Sequence, residues 1–332
     1  MSAHTVLPVA DGSQVPAARR WAQAAAETIG LDETDAHRAG LVVTELATNL
    51  MKHTPHGGAI LLRVTPPPEA EVEVIAVDSG PGMADVAQSL LDGHSTAGSP
   101  GTGLGAVRRL SDDFDVYSQP GRGTVVFARV RPGRAPAPAR RFVCSGVSVA
   151  LGGETVCGDA WTVLHDRGRL IAIVVDGLGH GEGAAAAASA AMQAVSANTF
   201  DTSLDALRAM HEGLRPTRGA AGSVIGVDPG LGTVTAAGIG NVAAVVAGHG
   251  TQRHTVSSGG ILGHDVRQFR EFQYPWAPDS LLVVHSDGLS THWSLDGYPG
   301  LRQRHPAVVA AVLYRDFQRG RDDVTVVVGR EA

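Results

Sequence analysis

Four aspartates in the second half of the chain lie where predicted strands begin or end. Asp159 precedes one apolar strand and Asp176 closes the next, with a polar turn at 165–168 between them. A hairpin centred on Arg167-Gly168 places Asp159 directly opposite Asp176, with Cα atoms about 4.5–5.5 Å apart. Two carboxylates so close repel each other unless a cation lies between them. The pair therefore predicts a metal site, the alternative being two hairpin-end aspartates that cap backbone groups.

Two further aspartates extend this set. Asp287 follows the apolar strand 281–284, and Asp322, next to Asp323, precedes the apolar strand 324–328. Carboxylate oxygens are the ligands that Mg²⁺ and Mn²⁺ prefer. Two such ions together can activate a water molecule and clamp a phosphoryl group. The four aspartates therefore predict hydrolysis of a phosphoester at a site that holds two Mn²⁺ or Mg²⁺ ions.

One helix in the first half indicates a different chemistry. The apolar spacing in 36–53 predicts an amphipathic helix, and Glu45, Asn49 and Lys52 fall together on its polar face. The Asn49 oxygen is suited to a Mg²⁺ ion that also binds the phosphates of ATP. Glu45, one turn away, is placed to act as a base on an attacking hydroxyl or water. Lys52, the only lysine, would contact phosphate; the alternative is a solvated helix face that ends in a cation.

Two glycine-rich segments supply the rest of a nucleotide site. Asp78 ends an apolar strand, where its carboxylate can accept a hydrogen bond from an adenine amino group. Gly80 and Gly82 let the backbone approach a planar ligand, because they carry no Cβ atom. The segment Gly101-Thr102-Gly103-Leu104-Gly105 opens a predicted helix, whose first N–H groups would face phosphate oxygens. Taken alone, such a glycine run is weak evidence, because flexible turns also contain it.

The order of these segments resembles the GHKL ATPase superfamily. Its N, G1 and G2 boxes resemble Glu45-Leu46-Ala47-Thr48-Asn49, Asp78-Ser79-Gly80-Pro81-Gly82 and Gly101-Thr102-Gly103-Leu104-Gly105. The RsbW/RsbT anti-sigma and switch kinases are similar in addition at Ala106-Val107-Arg108-Arg109-Leu110 and Gly121-Arg122-Gly123-Thr124. The resemblance covers about 10–130 and implies that Asn49 ligates magnesium, that Asp78 reads adenine and that Thr124 and the G2 glycines line the nucleotide. It also implies a serine or threonine acceptor on a protein.

The aspartate set resembles the PPM protein serine/threonine phosphatases of the SpoIIE/RsbX type over about 142–330. The matching segments are Gly158-Asp159, Asp176-Gly177, Gly179-His180-Gly181, Gly240-Asn241, Ser286-Asp287-Gly288 and Arg321-Asp322-Asp323-Val324-Thr325. The resemblance implies two metals bridged by Asp159 and Asp176, with Asp287, Asp322 and the Gly177 carbonyl as further ligands. For His180 two interpretations stay open, proton donation to the leaving hydroxyl and a loop position without a catalytic role. Arg140 and Arg141 are the only candidates for a phosphate-binding arginine near the start of this region.

The composition and a proline-rich segment predict two soluble domains. The chain has 332 residues, a formal net charge of −6, which argues against a nucleic-acid binder, and two cysteines, which we expect to be reduced rather than bridged. The segment 131–141, rich in proline, alanine and arginine, cannot form a regular helix and is typical of a linker. We therefore expect a first domain at 1–130 and a second at 142–332.

The expected fold class is α+β. Before the linker, helices alternate with strands in a pattern that, with the resemblance, predicts a GHKL (Bergerat) α/β two-layer sandwich. After it, many short strands and an alanine-rich helix at about 182–198 favour a PPM-type β-sandwich flanked by helices over an open sheet. No apolar stretch approaches 18 uncharged residues and no secretory signal opens the chain, so we expect a cytoplasmic protein without a membrane partner.

Together these features predict a bifunctional bacterial signalling switch. The resemblance implies that the phosphatase acts on phosphoserine or phosphothreonine of a STAS-domain-type antagonist or scaffold, in a sigma-factor or stressosome-like system that regulates a stress response. ATP with Mg²⁺ would serve the first domain as a kinase. In the alternative hypothesis, the first domain binds only nucleotide or a partner and transfers no phosphate.

Overall fold

A computed structural model describes residues 3–90, 103–248 and 250–332. The chain divides into two compact units. The N-terminal unit takes the residues up to Pro138 together with Leu295–Arg315, and the C-terminal unit takes Ala139–Ser294 together with Asp316–Ala332. No helix in the described ranges combines the length and the apolar character needed to cross a membrane.

The N-terminal unit is a two-layer arrangement of helices on an antiparallel sheet. The sheet has the strand order β1-β2-β3-β5-β4. Its strands are β1 (Thr5–Val9), β2 (Gly58–Thr65), β3 (Glu71–Val77), β4 (Asp113–Gln119) and β5 (Gly123–Val130). The helices are α1 (Gln14–Thr28), α2 (Glu33–His53), α3 (Val86–Ser89) and α4 (Gly103–Leu110), with a 3₁₀ turn at Pro132–Arg134. The predicted layers are confirmed, and β1 is an additional edge strand that the sequence reading did not include.

Helix α2 positions the polar row that the sequence indicates. It begins after Asp32, whose carboxylate accepts a hydrogen bond from the Asp35 backbone N–H at 2.8 Å and so caps the helix. Leu46 and Leu50 on its apolar face are buried in one core with Ile60 of β2 and Val74 of β3. Because the helix is held on that side, the side that carries Glu45 and Asn49 points out of the core.

The C-terminal unit is a β-sandwich of two five-stranded antiparallel sheets, with strand orders β13-β10-β9-β8-β7 and β12-β11-β14-β15-β6. The first five strands along the chain are β6 (Phe142–Val149), β7 (Asp159–Asp166), β8 (Arg169–Gly177), β9 (Ala220–Asp228) and β10 (Thr233–Ile239). The others are β11 (Ala243–Gly248), β12 (Thr251–His254), β13 (Glu271–Pro275), β14 (Leu281–His285) and β15 (Val324–Glu331). The predicted sandwich is confirmed.

Alternating side chains of the two sheets build the sandwich core, and helices cover the outer face of the first sheet. Trp161 and Leu170 are buried between the sheets together with residues of the second sheet such as Val284. On the opposite face of β8, Ile173 packs with Leu207 of the flanking helices. These helices are α5 (Glu182–Ser196) and α6 (Ser203–Leu214). The sheet is therefore fixed on both faces, which leaves its strand ends as the place for polar chemistry.

The segment 295–315 leaves the C-terminal sequence and joins the N-terminal unit. It contains a 3₁₀ turn (Leu301–Gln303) and most of helix α7 (Pro306–Phe317). The His305 ring stacks on the Phe127 ring of β5 with centroids 4.3 Å apart, and the His305 backbone N–H donates to Asp115 Oδ2 at 2.6 Å. Burial lowers the pKa of His305 to about 4, so the stacked ring is neutral. Arg315 donates from Nη1 to the Asp78 carbonyl oxygen at 3.1 Å.

Candidate metal centre and nucleotide site

The turn between β7 and β8 fixes the register that brings two aspartates together. Arg167 and Gly168 both have positive φ angles, 48° and 80°, as a two-residue type I′ hairpin turn requires. From this turn the strands pair without interruption until Asp159 lies directly opposite Asp176. The pairing that the sequence predicts is therefore confirmed.

Asp159 is buried, and the hydroxyl groups of Ser286 and Thr325 hold its carboxylate. Ser286 donates from Oγ to Asp159 Oδ2 at 2.7 Å, and the same Ser286 Oγ accepts the Thr325 backbone N–H at 2.9 Å. Burial raises the pKa of Asp159 to about 7, and repulsion from Asp323 and Asp322 adds to the effect. The side chain is thus oriented by β14 and β15, the strands that also carry the other acidic residues.

Asp176 experiences the charge of the whole cluster. Burial raises its pKa to about 9, and repulsion from Asp159, Asp287, Asp322 and Asp323 adds to this, in that order. An aspartate whose pKa is raised by burial and by neighbouring carboxylates is a group that a cation would stabilise in the ionised form. The donor set therefore fits divalent metal.

Asp287 stands at the end of β14 with a single amide partner. Asn241 Nδ2 donates to Asp287 Oδ2 at 2.6 Å. The pKa of Asp287 is raised by its partial burial and then by repulsion from Asp322. Asn241 belongs to the Gly240-Asn241 segment quoted above, and the structure gives it a positioning contact to a carboxylate that the sequence did not predict.

The adjacent residues Asp322 and Asp323 have different surroundings. Both oxygens of Asp323 accept backbone N–H groups at 2.7 Å, from Leu151 and from Gly158. Asp322 Oδ1 accepts only the N–H of Asp323 itself, at 2.9 Å. Both carboxylate oxygens of Asp323 therefore bind the loop between β6 and β7, whereas Asp322 Oδ2 is left to bind a ligand.

These carboxylates lie close enough to perturb one another but do not converge on one point. Within the described ranges, no three His, Cys, Asp or Glu side chains are close enough together to hold one ion. Gly177 lies against helix α5, where an added Cβ would be 2.2 Å from the Ala184 carbonyl oxygen.

The loop after Gly177 carries an acid–histidine pair. His180 Nδ1 is 2.6 Å from Glu154 Oε1, and both side chains are accessible to solvent. Gly181, with φ of 74°, packs against the same carboxylate, since an added Cβ would be 3.0 Å from Glu154 Oε2. Sequence reasoning singled out His180 but missed Glu154, which lies in a glycine-rich loop with no periodicity that could have indicated it.

In the N-terminal unit, two of the predicted nucleotide segments meet at Asn49. Glu45 and Asn49 are half-buried on the outward side of α2. An added Cβ on Gly103 would be 3.7 Å from Asn49 Oδ1, so the first turn of α4 begins beside the amide. Leu104 packs against the core and Gly105 is buried. Gly101 and Thr102, which the sequence also indicates, lie outside the described residues.

Asp78 is oriented by the turn that follows it. Its Oδ1 accepts the Gly80 N–H at 2.8 Å and the Thr124 N–H at 3.3 Å. Burial raises the pKa of Asp78. Gly82 has φ of 69°, and its Cβ position is 2.2 Å from the Gln119 carbonyl oxygen, so only glycine fits there. With Oδ1 occupied, Oδ2 is the oxygen left to accept a donor from a ligand.

Comparisons with known proteins match the two parts of the chain to different families. Residues 9–130 match the histidine kinase-like ATPase domain, and residues 166–330 match Stage II sporulation protein E (SpoIIE). The chain joins these two families. The N-terminal unit therefore contains an ATPase domain, and the C-terminal unit contains a SpoIIE domain of the PPM type.

Two curated relatives from Bacillus subtilis (strain 168) cover the two halves. The serine/threonine-protein kinase RsbT is 33% identical over 114 residues, which is 34% of this chain and 86% of RsbT. The phosphoserine phosphatase RsbX is 23% identical over 139 residues, which is 42% of this chain and 70% of RsbX. Each relative corresponds to one of the two domains, in the order that the sequence predicts.

Two solved structures share the fold of the SpoIIE domain. One is described as the bacterial stressosome, a modular system adapted to control secondary messenger signaling. It has a TM-score of 0.52 and 27% identity, and the alignment covers 57% of this chain and 100% of the other. The other, RsbX in complex with magnesium, has a TM-score of 0.50 and 19% identity and covers 59% of this chain and 98% of its own. At that identity, the second shows the fold alone.

The remaining predicted residues lie at the edges of the two domains. In the ATPase domain, Lys52 is exposed in the last turn of α2, and Thr124 Oγ1 lies 2.8 Å from Ser118 Oγ beside the Asp78 turn. In the SpoIIE domain, Arg141 Nε lies 3.2 Å from Glu331 Oε2, an ion pair at the strand edge rather than at the aspartate cluster.

Proposed function

We propose that the SpoIIE domain hydrolyses phosphoserine or phosphothreonine on a partner protein with two divalent cations, and that the ATPase domain phosphorylates serine or threonine with ATP and Mg²⁺. The observation that carries the first half is the directly opposed pair Asp159 and Asp176, whose pKa values are raised by burial and then by repulsion within the acidic cluster. A divalent cation bound between these carboxylates would relieve that repulsion, and such cations can activate water for hydrolysis of a phosphoester.

The protein's own residues have distinct roles in this hydrolysis. When bound, Mn²⁺ or Mg²⁺ would activate a water molecule and neutralise phosphoryl charge. Asp159, Asp176, Asp287, Asp322 and the Gly177 carbonyl would hold the ions. The Ser286 hydroxyl keeps Asp159 in one orientation, and the Asn241 amide does the same for Asp287.

The leaving group needs a proton as the bond between phosphorus and the serine or threonine oxygen breaks. His180 is exposed in the loop after Asp176 and Gly177 and is hydrogen-bonded to Glu154, which orients its ring. In our proposal it donates the proton to that oxygen.

In the ATPase domain the chemistry would begin with positioning. Asn49 would ligate Mg²⁺, Asp78 would accept the adenine amino group, and the N-terminus of α4 would face phosphate oxygens. Lys52 would add a phosphate contact. Glu45, one helical turn from Asn49, would take the proton of the attacking serine or threonine hydroxyl as it bonds to the γ-phosphorus and ADP leaves. The support is the meeting of Gly103 with the Asn49 amide.

The proposed protein partner is inferred from the similar proteins and not from the geometry of the metal or nucleotide site. RsbT and RsbX are a kinase and a phosphoserine phosphatase of one organism, and one similar structure belongs to a stressosome. We propose as substrate a phosphorylated STAS-domain-type regulatory protein, in a stressosome-like complex or in a circuit that controls a sigma factor.

Metal-dependent hydrolysis of a phosphoserine peptide by the full chain tests the phosphatase assignment. We expect activity with Mn²⁺ or Mg²⁺, loss with chelator, and a decrease of at least 100-fold in Asp287→Asn. Asp166→Asn is the matched control, since Asp166 lies at the other end of the β7–β8 hairpin, half-exposed and paired with Arg169. Equal activity in Asp287→Asn and wild type would contradict the assignment.

Transfer of ³²P from ATP to a STAS-domain protein tests the kinase assignment. We expect transfer by the wild type and at least a 100-fold loss in Glu45→Ala with ATP affinity retained. Nucleotide binding without transfer in the wild type would leave the ATPase domain as a nucleotide or partner sensor. Equal transfer by both proteins would exclude Glu45 as the base.

A further inference from the structure

One arginine, Arg218, contacts the loop that follows Asp176 and Gly177 and forms no ion pair among the described residues. Arg218 lies two residues before the start of β9, which pairs with β8 so that Gly177 lies opposite Ala220. One residue further, the Leu178 N–H donates to the Gly219 carbonyl oxygen at 3.1 Å. Arg218 therefore lies beside the chain segment that directly follows Asp176 and Gly177.

The guanidinium group is held against backbone rather than against a carboxylate. Arg218 Nη1 donates to the Leu178 carbonyl oxygen at 3.2 Å. An added Cβ on Gly183, in the first turn of α5, would be 2.0 Å from Arg218 Nη2 and 2.3 Å from Cζ. The group thus occupies the space that any other residue at position 183 would fill. Glycine inside a helix costs about 1 kcal/mol relative to alanine, and this contact gives a reason to retain it.

The charge of Arg218 remains available to a ligand. Among the described residues no carboxylate pairs with it, whereas Arg215, three positions earlier, forms two hydrogen bonds with Glu212 at 2.6 and 3.0 Å. Arg218 is exposed, and one printed hydrogen bond leaves most of its N–H donors for a partner. An arginine that is hydrogen-bonded to backbone but forms no ion pair among the described residues can bind an anion.

The charge balance of the cluster indicates which anion. Asp159, Asp176, Asp287, Asp322 and Asp323 carry one negative charge more than two divalent cations would neutralise when all are ionised. A phosphate monoester, itself a dianion, would approach a site with residual negative charge. A guanidinium at the rim offsets that repulsion, and its planar donors match two phosphoryl oxygens.

We propose that Arg218 binds the phosphoryl group of the phosphoprotein substrate, and that Gly183 leaves room for its guanidinium group. The inference rests on the proposed phosphatase function and names a substrate-binding residue for it. Arg218 forms only hydrogen bonds to non-bridging oxygens and takes part in no bond that is made or broken.

Steady-state hydrolysis of a phosphoserine peptide by the full chain with Mn²⁺ tests the proposal. For Arg218→Ala we expect KM to rise about 10- to 100-fold, the range for a lost charge-assisted hydrogen bond, with a smaller change in kcat. Arg218→Lys should recover part of the loss, because it restores the charge without the planar donors. Gly183→Ala, which displaces the guanidinium, should raise KM in the same direction. Arg215→Ala is the matched control and should behave as wild type.

Calorimetric titration of inorganic phosphate into the Mn²⁺-loaded protein provides a second readout that needs no turnover. Arg218→Ala should weaken phosphate binding by a factor similar to the rise in KM. Unchanged KM and unchanged phosphate affinity in Arg218→Ala would overturn the inference, as would a fall in kcat alone. These results are distinct from failure of the proposed function, which would appear as absence of metal-dependent hydrolysis in the wild type.

Discussion

The carboxylate cluster should destabilise the protein when no metal is present. Asp176 has a pKa of about 9 in the folded protein, against 3.8 for an ordinary aspartate, and Asp159 has a pKa of about 7. Both folded-state values are raised, so the native protein binds more protons than the unfolded chain. Stability of the metal-free C-terminal unit should therefore decrease as pH rises from about 4 towards 9.

Substitution of Asp176 by asparagine removes this cost without changing the shape of the side chain. At pH 8, about four pH units above the ordinary pKa, the folded protein must either keep Asp176 protonated or ionise it against burial and repulsion, and each unit corresponds to about 1.36 kcal/mol. Water and local relaxation reduce the total, and we expect Asp176→Asn to stabilise the metal-free unit by about 2–3 kcal/mol. The same substitution should remove most of the stabilisation that Mn²⁺ gives to the wild type, which is about 2.7 kcal/mol at a metal concentration 100 times Kd.

Differential scanning calorimetry of the full chain at pH 5 and pH 8, with chelator and with Mn²⁺, measures both effects. The transition that Mn²⁺ shifts in the wild type identifies the C-terminal unit. Asp166→Asn, on the same hairpin but away from the cluster, should leave the pH dependence unchanged. A metal-free Asp176→Asn protein that unfolds at a lower temperature than wild type at pH 8 would refute the reasoning.

Three further substitutions test whether individual side chains stabilise the fold or bind a ligand. Asp323→Asn should destabilise the C-terminal unit by about 1–3 kcal/mol, because two buried or half-buried backbone N–H groups lose charged acceptors, and chemical denaturation should show that Asp322→Asn does not. Asp78→Asn should weaken ATP binding at least 10-fold in a fluorescence titration while the melting temperature changes little, because an amide still accepts the Gly80 N–H; unchanged affinity would remove Asp78 from the site. Phe127→Ala should destabilise the N-terminal unit by about 3–5 kcal/mol, since its ring is fully buried and stacks on His305, and a loss below 1 kcal/mol would contradict that packing.

Much of the fold and part of the site could be predicted because they depend on local pattern. The register of the Asp159–Asp176 hairpin followed from a two-residue turn, and the polar row on α2 followed from helical periodicity. Edge strand β1 was not predicted, because a five-residue edge strand with a proline carries little alternation.

Contacts between distant segments could not be predicted from local pattern. Glu154 meets His180, and Arg218 meets Gly183, only because loops at separate strand ends converge at one edge of the sandwich. The different duties of Asp322 and Asp323 likewise depend on N–H groups more than 160 positions away in sequence, at Leu151 and Gly158. No spacing rule within a single element contains that information.

The path of 295–315 limits how this chain can be rearranged by recombination. That segment lies between Asp287 and Asp322 in the sequence, yet it belongs to the N-terminal unit. A gene cut at the proline-rich linker would therefore yield one product that lacks part of its compact unit and another in which 295–315 has lost contacts such as the stacking of His305 on Phe127. We expect inheritance of the pair as a whole, with residues such as Phe127 and His305 changing together rather than separately.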